Sequence, residues 1–183
     1  RNYEILINIG VYDFEKKGEQ RLEKMVSGRY MGELFGMALA ELLGTKEHMH
    51  AFTSVDISRI LEDVNGDAQS AASIVETATG QMLSAEDAVC VRELARTIVV
   101  RSVRLIAATF VGTLWQITGE GEIRPQHIAV DGSVYEKMPL VKETMADVFA
   151  ELLGEDAPKV DTILASCGSG LGAALAAAMV ERG

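Results

Sequence analysis

The sequence predicts an α/β fold, helix-rich with a small mixed sheet, and three observations carry that reading. Two strand, glycine-turn, helix units follow each other near the C-terminal end, "QHIAVDGSVY" and "KVDTILASCGSGLG", the pattern of a parallel layer. A third strand-like stretch, "YEILINIGVYDF", rich in Ile, Val, Tyr and Phe, opens the chain. Between them, apolar residues recur at helical spacing over long segments. At 183 residues and 48% hydrophobic, the chain is long enough for one core and short for two domains, so residues 1–183 read as one unit.

In chain order, Gly10 interrupts the first strand as a bulge or a point of close approach. From Glu19 the pattern turns helical: Leu22, Met25, Val26, Leu34, Phe35, Ala38, Leu39 and Leu42 predict one helix running to Gly44. Gly28, Gly32 and Gly36 recur every fourth residue along it. Each costs about 1 kcal/mol against Ala, so a tightly packed neighbour is expected to need the space. A polar connector follows, then a short helix with Ile57, Ile60 and Leu61 facing inward. Ser84 and Asp87 form a capping box that announces a long central helix through Val91, Leu94, Ile98 and Leu105, ended by "GEGE". Pro139 opens a helix carrying Met145, Val148, Phe149 and Leu152, which Gly154 closes.

Charge removes one class of function early. With 17 basic against 27 acidic residues the net charge is −10 and no Lys/Arg block stands out, so the chain has no nucleic-acid footprint. Cys90 and Cys167 form no CxxC pair and no disulfide framework, which points to a reducing compartment and a cytoplasmic location. The first residues lack a signal-peptide core, and Arg101 and Arg104 interrupt the apolar run from Ile98 to Trp115, so no membrane partner is expected. The chain opens without Met, directly in strand-like sequence, as a piece of something longer would. His48 and His50 have no third ligand nearby and read as a solvated loop rather than a metal site.

The glycine turns mark a place, because "DGS" and "GSG" put backbone N–H groups at the carboxyl edge of a parallel sheet, where α/β proteins bind ligands. On spacing alone "GSGLG" is neither the GxGxxG turn nor the GxxxxGK[ST] loop, and a tight turn with close helix packing accounts for it as well. Order adds specificity: "QRLEKMVSGRYMGEL", then "IAVDGSVYEKMP", then "GSGLGAALAAAMVERG" resembles the C-terminal half of the hexokinase and glucokinase family. These enzymes have a ribonuclease-H-like fold and belong to the actin-like ATPases. The resemblance implies a partial domain of that fold, a hexose such as glucose and ATP as partners, and ATP with Mg²⁺ for phosphoryl transfer to the sugar.

By the same resemblance Gln20 and Glu23 contact sugar hydroxyls. Residues at i and i+3 share a helix face, and an amide beside a carboxylate offers both donors and acceptors to a polyol. Gly132 and Ser133, in "VDGS", match the adenosine motif, and Asp131 holds the turn. Ser54 and Ser58 match two hydroxyl contacts to the nucleotide, while Gly168 and Ser169 border the same pocket. Gly10 stands where the family carries a sugar-holding Glu, and Leu171 where a basic residue is common. The phosphate-binding "DxGGT" loop and the general-base Asp of the smaller domain have no counterpart in these residues. No catalytic residue is therefore assigned, and the chain alone is expected to be inactive. Unpaired sheet edges would then favour self-association. A noncatalytic, sugar-sensing relative is the alternative that Gly10 and Leu171 suggest.

Overall fold

The computed structural model describes residues 16, 18–45, 51–119, 121–165 and 168–180. The opening strand, with Gly10, and the His48–His50 loop lie outside them, as do Ser166 and Cys167 in the last turn. The elements run α1 (Arg21–Val26), α2 (Gly28–Leu42), α3 (Ser54–Glu62), α4 (Gln69–Thr79), α5 (Ala85–Thr118), β1 (Gln126–Val130), α6 (Ser133–Lys137), α7 (Val141–Leu153), a 3-10 turn (Gly154–Lys159), β2 (Val160–Leu164) and α8 (Gly168–Val180).

The 34-residue α5 is the axis of the molecule. Its Ser84 cap forms as expected: the Asp87 amide donates to Ser84 Oγ at 3.1 Å and the hydroxyl donates to Asp87 Oδ2 at 2.7 Å. Helix α5 is long and apolar enough to cross a membrane by length and composition. In this fold its inward residues, Val91, Val99, Val103 and Val111 among them, pack into the core with α2, α4 and α7. The two arginines that interrupt it both reach neighbouring elements, Arg104 pairing with Glu151 at 2.7 Å and Arg101 donating to the Met25 carbonyl at 3.3 Å.

The single helix expected from Glu19 to Gly44 is two. Ser27 takes an extended conformation (φ −68°, ψ 139°) and its hydroxyl accepts from the Arg29 amide, capping α2. The break shifts the phase of the apolar stripe. Phe35 and Leu39 are fully buried, whereas Leu22 and Leu42, counted inward by the continuous pattern, are exposed.

Two of the recurring glycines are explained by what lies against them. A Cβ on Gly32 would overlap the Phe52 carbonyl, at 2.7 Å from its carbon, and one on Gly28 would meet Val134 Cγ2 at 2.5 Å. Helix α2 therefore lies directly on the chain entering α3 and on α6. The Thr53 and Asp56 capping box starts α3 at that contact, and Ile57 and Ile60 carry it into the core.

Strands β1 and β2 pair in parallel, Gln126 with Val160 through Val130 with Leu164, so both glycine turns leave the same sheet edge. Tyr135 in α6 ties the layers together, its hydroxyl 2.7 Å from Thr162 Oγ1. Helix α8 is unlike the others: Leu171, Leu175 and Met179 are exposed, and a Cβ on Gly170 or Gly172 would meet nothing within 4 Å. The close helix packing expected of those two glycines is thus not found among the described residues.

Candidate functional site

The tight α2 contacts bring three distant segments to one place. A cavity of about 380 Å³ is walled by the Ser27–Arg29 break, by Ser54 at the start of α3, and by residues 130–135 at the β1–α6 turn. A second hollow of about 240 Å³ shares Ser54 and Ser133 and extends along α3 to Ser58 and along α6 to Lys137. Four of the sequence-predicted residues, Ser54, Ser58, Gly132 and Ser133, so line two adjoining hollows, although they come from segments up to 79 positions apart (133 − 54).

Gly132 is glycine for its backbone: its φ of 137° is one that L side chains rarely adopt, while the space beside it is open, with nothing within 4 Å of a Cβ. The backbone is consequently bare to the cavity. Gly168 is the first residue of α8, where a Cβ would stand 3.5 Å from Asp131 Oδ2, so the start of α8 lies beside the "DGS" turn, although the residues that line the two hollows do not include it. Ser58 is partly committed elsewhere, its hydroxyl donating to Glu62 at 3.0 Å.

The charge of the walls runs against that of the chain. Arg29, Arg59 and Lys137 line the two hollows beside only two carboxylates, Asp131 and Glu62, in a protein whose net charge is −10. Hydroxyls, exposed backbone and an excess of cations make a surface fitted to a polar anion, and apolar Met31, Ile106 and Met145 at the floor suit a flat ring. Arg29 escapes sequence reasoning, because "SGRY" reads as helix interior until the Ser27 break is known. Among the described residues no group of three or more His, Cys, Asp or Glu could hold a metal ion.

Gln20 and Glu23 stand apart. Gln20 precedes α1 in a left-handed conformation (φ 53°), Glu23 lies in its first turn, and both are exposed outside the walls of the two hollows. The structure brings the four residues above together but does not bring these two into the same cavity.

The family model for hexokinase matches residues 12–179. The chain belongs to the hexokinase family. It is 36% identical to Hexokinase-1 of Oryza sativa subsp. japonica over 177 residues, covering 88% of this chain and 36% of that protein. It is 33% identical to Hexokinase-2 of Rattus norvegicus over 181 residues, 90% of this chain and 19% of the relative. A hexokinase crystal structure superposes with a TM-score of 0.73 at 23% identity, over 90% of this chain and 37% of the other. The fold is that of the actin-like ATPases, and the chain spans little more than a third of the rice relative it matches.

Proposed function

We propose that this chain is the large-domain part of an ATP-dependent hexose kinase, with glucose as the representative sugar. The observation that supports the reading most is the gathering of Ser54, Gly132 and Ser133 around one cavity, with Arg29 on its wall, in a chain of the hexokinase family. In this reading Gly132, Ser133, Ser54 and Ser58, with Gly168 and Ser169 at the start of α8, hold the adenine nucleotide, and Arg29 offers its charge to the phosphates. Gln20 and Glu23 hold sugar hydroxyls. Magnesium, usually bound through substrate phosphates and few protein ligands, would neutralise phosphate charge without a dedicated cage.

The reaction joins the sugar 6-hydroxyl oxygen to the γ-phosphorus, breaks the bond from that phosphorus to the bridging oxygen, and releases ADP. The hydroxyl proton goes to a carboxylate. These residues hold ligands, while the base and the closure that excludes water belong to the family's smaller domain. The purified chain should therefore form no measurable glucose 6-phosphate with excess MgATP. General-base catalysis is worth about 10²–10⁴-fold, and alignment of two substrates several powers of ten more. Sugar-dependent ADP formation should appear when the rest of a hexokinase is supplied. Robust turnover by the chain alone, lost on mutating one of its own carboxylates, would overturn this division of labour.

Leu171, exposed on α8 where relatives of this kind often carry a basic residue, supports a second reading as a noncatalytic sugar sensor. Glucose binding without turnover after complementation would favour it. The exposed thiol of Cys90 suits a reducing, cytoplasmic setting. Among the described residues the two-stranded sheet pairs with no further strand, so the isolated chain should self-associate through such edges, and light scattering that reports a monomer at every concentration would contradict that.

A further inference from the structure

The break between α1 and α2 separates the two candidate sites, and one buried contact holds its α1 side to α5. Helix α1 ends at Val26, leaving its last carbonyls without partners in their own helix. The Met25 carbonyl accepts from Ser102 Oγ at 3.0 Å and from Arg101 Nη1 at 3.3 Å, both on α5 and more than seventy residues away. Ser102 is 1% exposed and sits within the apolar stripe of α5, where Ala or Val would pack and a hydroxyl needs a partner. That partner is α1. On the other side of the same turn the Ser27 amide donates to the Glu23 carbonyl at 2.8 Å, so the turn that presents Glu23 is tied to the clamp.

We propose that Ser102, with Arg101 beside it, is a positioning residue that holds α1 and thereby sets Gln20 and Glu23 relative to the cavity; this rests on the reading of those two residues as sugar contacts. Helix α2 has its own anchors, Gly28 against Val134 and Gly32 against the Phe52 and Thr53 backbone. Ser102 also lines the cavity, but its hydroxyl is turned to the Met25 carbonyl, so loss of the clamp frees α1 while α2, with Arg29, keeps its own anchors. The effect falls unequally on the two ligands.

The test titrates glucose and ATP separately into the 183-residue chain by calorimetry, with Ser102→Ala and Ser102→Thr alongside. Ser102→Ala should weaken glucose binding about tenfold and ATP binding by a much smaller factor, and Ser102→Thr, which keeps the hydroxyl, should restore glucose affinity. Amide exchange over residues 24–27 should quicken in the Ala variant alone. Equal losses for both ligands, no loss for glucose, or failure of Thr to restore it would overturn the assignment while the functional reading stands. A wild-type chain that binds no glucose would overturn both, and the first titration, made before any variant, reveals that case.

Discussion

Helices α5 and α8 are both apolar, yet one packs a continuous stripe into the core and the other exposes its described side chains. Helix α5 arranges its apolar residues as a stripe, from Ala88 and Val91 through Val99 to Leu114, and the stripe is buried. Helix α8 is Ala, Leu and Met on every side, with no stripe, and its described side chains from 170 to 179 are exposed. A helix apolar all round is suited to burial on all sides. Apolar composition thus makes a helix, whereas burial depends on a surface shaped to receive it. The glycines repeat the contrast: Gly32 is demanded by a backbone against it, and Gly170 by nothing among the described residues.

The largest expected difference comes from truncating the core. Phe35 is fully buried and meets Phe52 edge to face with ring centroids 5.0 Å apart. Phe35→Ala should cost about 3–5 kcal/mol, read as a drop in denaturation midpoint. A cost near zero would mean that the α2 interface is far looser than its geometry.

Next in size is the glycine contrast, which predicts opposite signs. Gly32→Ala forces a methyl into the Phe52 carbonyl and should destabilise by about 1–3 kcal/mol. Gly170→Ala puts the same methyl into open space within a helix and should stabilise by up to about 1 kcal/mol. Thermal unfolding of the two variants side by side decides it, and a loss at Gly170 would reveal a close neighbour on α8 in solution.

Smaller again is the effect of Leu175→Ser, which should shift stability by less than about 0.5 kcal/mol because the side chain is 57% exposed. A loss of core size would mean that α8 is covered in solution.

The smallest effect depends on pH. The Asp63 carboxylate accepts from the Ser70 amide at 2.9 Å and the Asn65 amide at 3.0 Å, and these bonds hold its pKa below the ordinary value of 3.8. A depressed folded-state pKa contributes stability above the unfolded value, and that contribution is lost as pH falls through the folded one. The stability gap between wild type and Asp63→Ala should therefore be constant near neutrality and narrow below about pH 3.8. A gap unchanged in acid would show that the carboxylate's charge contributes nothing.

Much of the fold is legible without coordinates. Period and punctuation place α5, its Ser84 cap, the two strands and the helices after them, because each depends on neighbours within a few residues of one another. The family, too, is carried by local wording such as "VDGS" and "SGRYMGE". The break at Ser27 has a local signal in Ser-Gly, a turn dipeptide, but the apolar residues on either side keep helical spacing across it and mask that signal. The contacts beside it, from Ser102 and Arg101 to the Met25 carbonyl, come from more than seventy residues away.

The residue types at the candidate site were therefore set by sequence, and their company was set by packing. Ser54, Ser58, Gly132 and Ser133 line adjoining hollows because Gly28 and Gly32 let α2 settle onto α6 and the chain entering α3, a contact between segments with no sequence relation. By itself the sequence determined the helices, the parallel strand pair, the glycine turns at one sheet edge and the family. Only the tertiary structure decided that Arg29 joins the cavity, that Gln20 and Glu23 stand outside it, and that α8 lies open while α5 is buried. The physical reason is range: hydrogen-bonding periodicity and turn chemistry act over a few residues, whereas shape complementarity acts between surfaces that the chain must first bring together.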